Sequence, residues 1–213
     1  MRSIRRENLD NFLETYSYLF RGVVIDIGGE VNNYRGSFCL PKSQTDKWHV
    51  VNIDEESGAD IISSATNIPI DNEQADVVLI TEVLEHIEEP QLALIEAARL
   101  LKPGGNLILT MPFMYQVHGD PHDFTRWTSH ALIKNLKKAG FSSIALTPMG
   151  GTWSVIYDTL RSQLYRMPLK NRLKFRIFHT ILYALKPLFK SLDKTCAESQ
   201  KYITTGWAVK AEK

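Results

Sequence analysis

Apolar and polar positions along this chain follow two rhythms, and each change of rhythm marks an element. ENLDNFLETYSYLF (7–20) brings its apolar residues onto one helix face and predicts a leading amphipathic helix. VVIDIGG (23–29), WHVVNID (48–54), ADII (59–62), ADVVLIT (75–81) and GGNLILTMP (104–112) are short apolar runs, the pattern of strands buried on both faces. EEPQLALIEAARLLKPGG returns to helical spacing and is closed by a Pro-Gly-Gly turn. SHALIKNLKKAG (129–140) predicts another helix, with Gly140 as its stop. FSSIALT and YITTGWAVKAE predict two more strands, separated by residues that read as helical and basic. The uncharged stretch from Ala139 to Tyr157 is long enough to cross a bilayer, but its Gly, Ser, Thr and Pro residues predict a strand followed by a loop. Strands alternating with helices predict an α/β fold: one Rossmann-like, doubly wound, mostly parallel sheet of seven strands, with a helical insert before the last strand. The expected layout is a leading helix (1–21), a core (22–147), a basic helical insert (148–201) and a last strand (202–213), all in a single domain.

Composition narrows the class of protein. A chain of 213 residues that is 44% hydrophobic and 23% charged is an ordinary globular one, with room for a single substantial core. A net charge of +1 gives no global sign of a nucleic-acid partner. The charge is unevenly spread, however. Residues 161–194 hold nine bases against one acid, a net +8 that leaves −7 on the rest. Within them LKNRLKFRIFHTILYALKPLFKSL (169–192) is apolar in the middle and basic at both ends. It fits a helix lying on an anionic membrane surface, and equally a lid over the strand ends, with its apolar face buried and its bases solvated. The lid is the preferred reading, and a dimer interface is a third. A nucleic-acid partner is not expected, because the −7 remainder opposes a wide phosphate-binding face. Cys39 and Cys196 form no spaced pattern, and no apolar run follows the basic residues of MRSIRRENLDNFLETY. Reduced thiols and a cytoplasmic protein are therefore expected.

In a doubly wound sheet, ligands bind beyond the carboxyl ends of the strands. Asp26, Gly28 and Gly29 stand at one such end and Asp54 at the next. Glycines let backbone approach a ligand closely, and a carboxylate after the second strand can accept both hydroxyls of a ribose. A dinucleotide site would want G-x-G-x-x-G. Here the residues are Gly28-Gly29-Glu30-Val31-Asn32-Asn33, and the nearby acids would repel a pyrophosphate. They would favour the ammonium and sulfonium of S-adenosylmethionine, so the turn argues for that cofactor over NAD.

VVIDIGG, NYRGSF (33–38), NID (52–54), ATNIPI (65–70), ITEVLEHI (80–87) and RLLKPGGNLILTMPF (99–113), in this order, resemble the motifs of the class I S-adenosylmethionine-dependent methyltransferases, in particular small bacterial methyltransferase-domain proteins. The resemblance runs from about Val23 to Glu212. It implies that Asp26, Gly28 and Gly29 line the methionine end of S-adenosyl-L-methionine and that Asp54 holds the ribose. Ser64, Ala65 and Thr66 would lie near adenine, and Thr81 would offer backbone to the amino-acid moiety. Glu30 replaces the family's second glycine, and Ser64 replaces an aspartate that often takes the adenine amino group. His86 belongs to the Leu-Glu-His-Ile pattern, where a helix-capping or packed histidine is the simpler role.

HGDPHDFTRWT (118–128) follows the fifth strand and is dense in ionisable groups. A hydroxyl acceptor needs its proton removed, and a histidine is the natural base at neutral pH. His118 and His122 are the candidates, with Asp120 or Asp123 to orient them. Arg126 could pair with a substrate carboxylate or phosphate, and Phe124 and Trp127 could form a ring platform. The same family subgroup has a similar Pro-His-Asp-(aromatic)-x-Arg-(aromatic)-Thr segment here. Two plainer roles compete: an Asp123–Arg126 salt bridge that ties the loop down, and Thr128 or Ser129 as a helix cap. A metal held by His118, His122 and the aspartates is weighed and not expected, because Pro121 fixes an extended turn. The expected function is methyl transfer to an oxygen of a small-molecule, glycan or lipid-linked acceptor, with peripheral membrane contact through 169–192 as an option. The alternatives are a non-catalytic adenosyl-binding scaffold of the same fold and, third, an NAD-dependent oxidoreductase.

Overall fold

The computed structural model describes residues 2–30, 34–35, 38–119, 122–166, 172–196, 200 and 202–213. In chain order its elements are α1 (Ile4–Thr15), β1 (Val23–Ile27), β2 (Tyr34–Arg35), β3 (Phe38–Cys39), β4 (Lys47–Asn52), β5 (Ile61–Ile62), β6 (Ala75–Thr81), α2 (Pro90–Leu100), β7 (Leu101–Pro112), α3 (Ser129–Lys138), β8 (Ser143–Pro148), α4 (Thr152–Arg166), α5 (Arg172–Thr195) and β9 (Gly206–Glu212). Seven strands pair in the order β5-β4-β1-β6-β7-β9-β8. β9 runs antiparallel to β7 and β8, while β1, β4, β5, β6 and β7 pair in parallel. This is the expected seven-stranded, mostly parallel α/β sheet.

Strand side chains alternate between the two faces, which explains the continuous apolar runs. Val24, Val77, Leu79 and Ile108 point to one face, where Leu9, Phe12 and Leu13 of α1 cover them. Ile25, Ile27, Val78, Ile80, Leu107 and Leu109 point to the other, under Leu94, Ala97 and Leu100 of α2 and Leu132 and Leu136 of α3.

Several boundaries differ from the sequence reading, each for a long-range reason. α1 begins at Ile4 rather than at residue 7. Ser3 caps it, and the buried Asp158 carboxylate of α4 accepts the Ile4 and Arg5 amides at 2.8 and 3.0 Å. α4 begins at Thr152, inside the stretch read as a loop. Asp193 of α5 accepts the amides of Gly151, Trp153 and Ser154 at 2.9–3.0 Å, so a carboxylate forty residues away starts that helix. β7 begins at Leu101, directly after α2, where a turn was expected through Gly105.

The basic segment forms α5, and its packing departs from the expected buried apolar face and solvated bases. Phe175, Leu182, Lys186 and Phe189 of α5 turn inward against α4 and the start of α1. Leu173, Ile177, Phe178, Ile181, Leu185 and Leu188 face outward and are 40–64% exposed. The helix has apolar residues on two faces, and α4 and the start of α1 cover one of them, while the second is exposed among the described residues. Lys186, a base expected in solvent, is buried instead, because it reaches Glu7 and the Arg2 carbonyl. Among the described residues, no helix is long and apolar enough to cross a membrane.

Candidate active site

β5, β4, β1, β6 and β7 all end at the same sheet edge, and the predicted site residues follow those ends. After β1 the chain turns at Gly28, with φ +72°, a conformation that favours glycine. A Cβ on Gly28 would lie 2.3 Å from Val83 Cγ2, and one on Gly29 would lie 2.7 Å from Asp26 Oδ2. The turn is therefore pressed between the β6 loop and the fully buried Asp26. Two bonds hold it to β4: the Gly28 amide donates to the Val51 carbonyl, and Asn52 Nδ2 donates to the Gly29 carbonyl, both at 2.8 Å. Between Gly29 and β4 the described residues contain no α-helix. A pyrophosphate on a following helix N-terminus thus has no counterpart among them, which weighs against the NAD reading.

Asp54, after β4, is exposed, and its Oδ1 caps a short helical turn by accepting the Glu56 amide at 2.9 Å. After β5, the Ser64 and Thr66 hydroxyls share a hydrogen bond of 2.9 Å, with Ala65 half-buried between them. This segment is clamped from α2. The Glu96 carboxylate accepts the Ile68 amide at 2.6 Å, and the Arg99 guanidinium donates to the Ile68 and Ile70 carbonyls. Thr81 ends β6 with its side chain buried. NYRGSF (33–38) lies largely outside the described residues, as does Asp120.

The 118–128 loop divides by role. Asp123 and Arg126 form a bidentate salt bridge, with side chains only 3% and 19% exposed. Burial would raise the Asp123 carboxyl, but Arg126 and the donating His118 amide outweigh it and hold it below its ordinary value. Arg126 is thus committed to tying the loop down. Thr128 caps α3, and Trp127 packs into the core while its carbonyl accepts Trp207 Nε1 at 3.0 Å. Phe124 remains exposed, with its ring 5.3 Å from the exposed His122 ring. The structure does not bring His122 together with His118.

It brings His118 to two residues of the loop after β6 instead. His86 meets His118 edge to face, with ring centroids 5.1 Å apart, and both Nε2 atoms face Oε1 of Glu85, at 3.7 and 3.9 Å. Glu85 is fully buried, and burial pushes its carboxyl up. Burial also pushes the His118 imidazole down, against the pull of Asp123, whose Oδ2 lies 3.3 Å from His118 Nδ1. The sequence reading quoted Glu85 within ITEVLEHI without singling it out. The available signal was a second acid, between Leu84 and His86, in a run that is half apolar.

Arg5 was also missed, for want of any local signal. It reaches over from α1, is buried, lies 4.1 Å above the Tyr115 ring and pairs with Glu82. Glu82 takes the unusual φ of +57° while accepting the Thr110 hydroxyl at 3.0 Å. Tyr115 in turn packs edge-on to His118, with ring centroids 5.7 Å apart.

Residues 44–109 match the model of a methyltransferase domain. The match takes in Asp54, the 64–66 segment, Thr81 and the Glu85-His86 turn, and stops short of the glycine turn and the His118 loop. No curated protein matches the chain in sequence. Among solved structures, a SAM-dependent methyltransferase from Archaeoglobus fulgidus is similar, at 17% identity and TM-score 0.61, covering 98% of this chain and 94% of that one. The phosphoethanolamine N-methyltransferase 2 of Haemonchus contortus, in complex with S-adenosyl-L-methionine, is 18% identical with TM-score 0.58, over 97% of this chain and 51% of that one. The cyclase SpnF is 18% identical with TM-score 0.56, over 98% and 80%. One of these three is named for a different reaction, so the fold by itself leaves the chemistry open. Residues 44–109 are thus similar to a methyltransferase domain, and the chain around them has a seven-stranded Rossmann-like fold similar to that of these structures.

Proposed function

We propose that the chain is an S-adenosylmethionine-dependent methyltransferase acting on an acceptor oxygen, with His118 as the loop histidine that handles the acceptor's hydroxyl. The observation that carries this reading is an ordering along one sheet edge. Ser64 to Thr66, Asp54 and the Asp26–Gly28–Gly29 turn follow the adjacent strands β5, β4 and β1, and the His118 cluster follows β6 and β7 next to them. Adenine, ribose and methionine succeed one another along the cofactor in the same order. These residues fit it: two hydroxyls at one end, an exposed carboxylate in the middle, and a side-chain-free turn beside the buried Asp26. The cofactor supplies an electrophilic methyl on a sulfonium. The chain's part is to hold the acceptor in line with that methyl and to take charge of its proton.

Calorimetric titration with S-adenosylhomocysteine tests the cofactor half. Micromolar binding that Asp54→Ala abolishes is expected, and no binding by the folded protein would overturn it. For the chemistry, His118→Ala should slow S-adenosylhomocysteine formation by ~10²-fold or more while leaving its affinity intact. His122→Ala, with its ring outside the cluster, should change the rate little. The reverse ranking would move the role to His122.

The outward face of α5 supports an amphiphilic acceptor such as a lipid-linked sugar. Six exposed apolar residues, flanked by the exposed Arg176 and Lys194, suit an anionic bilayer surface. Vesicles containing phosphatidylglycerol should sediment the protein, and Phe178→Asp with Ile181→Asp should release it. Self-association without vesicle binding would make the same face a contact between copies of the chain.

A further inference from the structure

The trio Glu85, His86 and His118 has an electrostatic problem that an ion would resolve. His86 Nδ1 lies 2.5 Å from the His122 carbonyl oxygen, which can only accept, so Nδ1 carries the hydrogen and Nε2 presents a lone pair. His118 Nδ1 lies 3.3 Å from Asp123 Oδ2 and 3.4 Å from the Gln116 carbonyl, both acceptors, so its Nε2 also presents a lone pair. Both lone pairs point towards Glu85 Oε1, at 3.7 and 3.9 Å, too far for a hydrogen bond. Among the described residues, neither oxygen of this fully buried carboxylate has a hydrogen-bond partner outside Glu85 itself. Three electron-pair donors thus converge with all ligand atoms within 4.8 Å of one another. The two guanidinium groups that act on Glu85, Arg5 and Arg126, are already paired with Glu82 and Asp123.

We propose that Glu85, His86 and His118 bind a divalent transition-metal ion of the zinc or iron(II) class. Two imidazoles and one carboxylate are a recurrent donor set for these ions, and metal-bound histidines typically donate their other ring N–H to a carbonyl or carboxylate, as both do here. Bonds of about 2.1 Å would place the donors about 3.4 Å apart, a closure of a few tenths of an ångström for the two Glu85–histidine distances of 3.7 and 3.9 Å. His86 and His118 are 19% and 31% exposed at the side chain, so the ion would keep an open side towards the acceptor. The set differs from the one weighed on the sequence: His122 is replaced by His86, and the aspartates by Glu85. The role of the ion rests on the methyltransferase reading. It would bind the acceptor's hydroxyl oxygen and lower its pKa, so that the proton leaves to water and its electron pair stays on the oxygen. His118 then acts as a ligand, not as a free base.

The test is calorimetric titration of chelator-treated protein with Zn²⁺, with bound metal measured after dialysis. One equivalent per chain is expected. Glu85→Gln, His86→Ala and His118→Ala should each weaken binding at least tenfold, and His122→Ala and the exposed His130→Ala should leave it unchanged. Retained S-adenosylhomocysteine binding by each variant would show that it is folded and keeps its cofactor site. Less than one equivalent on wild type, or unchanged binding in His118→Ala and His86→Ala, would overturn the proposal. Cofactor binding without metal binding would remove the ion and leave the methyltransferase reading standing, whereas metal binding without cofactor binding would do the opposite.

Discussion

At the scale of single residues, the site is built by side chains that leave no slack. Gly28 combines a left-handed φ of +72° with Val83 pressed against the position of its missing Cβ. Gly28→Ala should therefore cost about 1–2 kcal/mol from the backbone conformation alone. The contact with Val83 adds to this, because a β-branched side chain has few rotamers into which to retreat. The expected outcome is a lowered melting temperature and at least tenfold weaker S-adenosylhomocysteine binding. The double variant Gly28→Ala, Val83→Ala should recover part of the stability, since it removes the contact and leaves the strained φ. Full recovery would mean that the conformation of the turn costs nothing. Arg5 makes the same point for charge. Its guanidinium is buried, and burial lowers its pKa, so Glu82→Ala would strand a cation. A loss of about 3–5 kcal/mol is expected in chemical unfolding, more than from Arg5→Met, which removes charge and desolvation penalty together.

At the scale of elements, the helices are started by one another. Asp158 of α4 holds the first amides of α1, and Asp193 of α5 holds those of α4. Asp193→Ala leaves three amides at the start of α4 without their acceptor and should destabilise the protein by about 2–4 kcal/mol. Thermal unfolding reads this as a drop of roughly 2–4 °C per kcal/mol for a chain of this length. A change under 1 °C would mean that water replaces the carboxylate. These caps also explain what the sequence could reveal. The central strands β1, β4, β6, β7 and β9 were legible because each holds a continuous apolar run whose burial follows from its own residues. Thr128 was legible as a cap because its partner, Ala131, is three residues away. The starts of α1 and α4 were not, because their acceptors lie 154 and about 40 residues further along the chain. The outward face of α5 was misread because helical periodicity shows which positions are apolar but not which of two apolar faces finds a neighbour. The site divides in the same way. His118, Asp123 and Arg126 stood out by density, whereas Glu85 gains its significance from complete burial and Arg5 from a helix anchored elsewhere.

At the scale of the whole molecule, the basic insert is attached to the acidic remainder through α1, which also carries Arg5 into the site. Glu7 accepts Lys186 and Lys190, and Lys186 donates to the Arg2 carbonyl as well, so one carboxylate joins α5 to the leading helix. The pH dependence of stability should report this junction. Partial burial would raise the Glu7 carboxyl, but the two lysines outweigh it and hold it below the ordinary glutamate value. Glu96 behaves alike, with burial opposed by Arg99 and the Ile68 amide. A carboxylate depressed in the folded state binds its proton more readily in the unfolded chain. Its stabilisation is therefore complete above the ordinary carboxylate range and is lost as the pH falls through the folded value. Asp158 has the opposite sign, since burial outweighs its hydrogen bonds and raises it. Its contribution is present at low pH and lost as the pH rises through its raised value. From pH 7 to about 4 the melting temperature should accordingly hold nearly level, and below about 4 it should fall as the Glu7 and Glu96 contributions go together. Glu7→Gln should melt lower than wild type at pH 7 and lose less on acidification, so that the two curves converge as the pH falls through the lowered Glu7 value. Parallel curves would mean that the Glu7 junction carries no pH-dependent stability. If vesicle binding also survives Glu7→Gln, the outward face of α5 works independently of the anchor that holds the helix to the core.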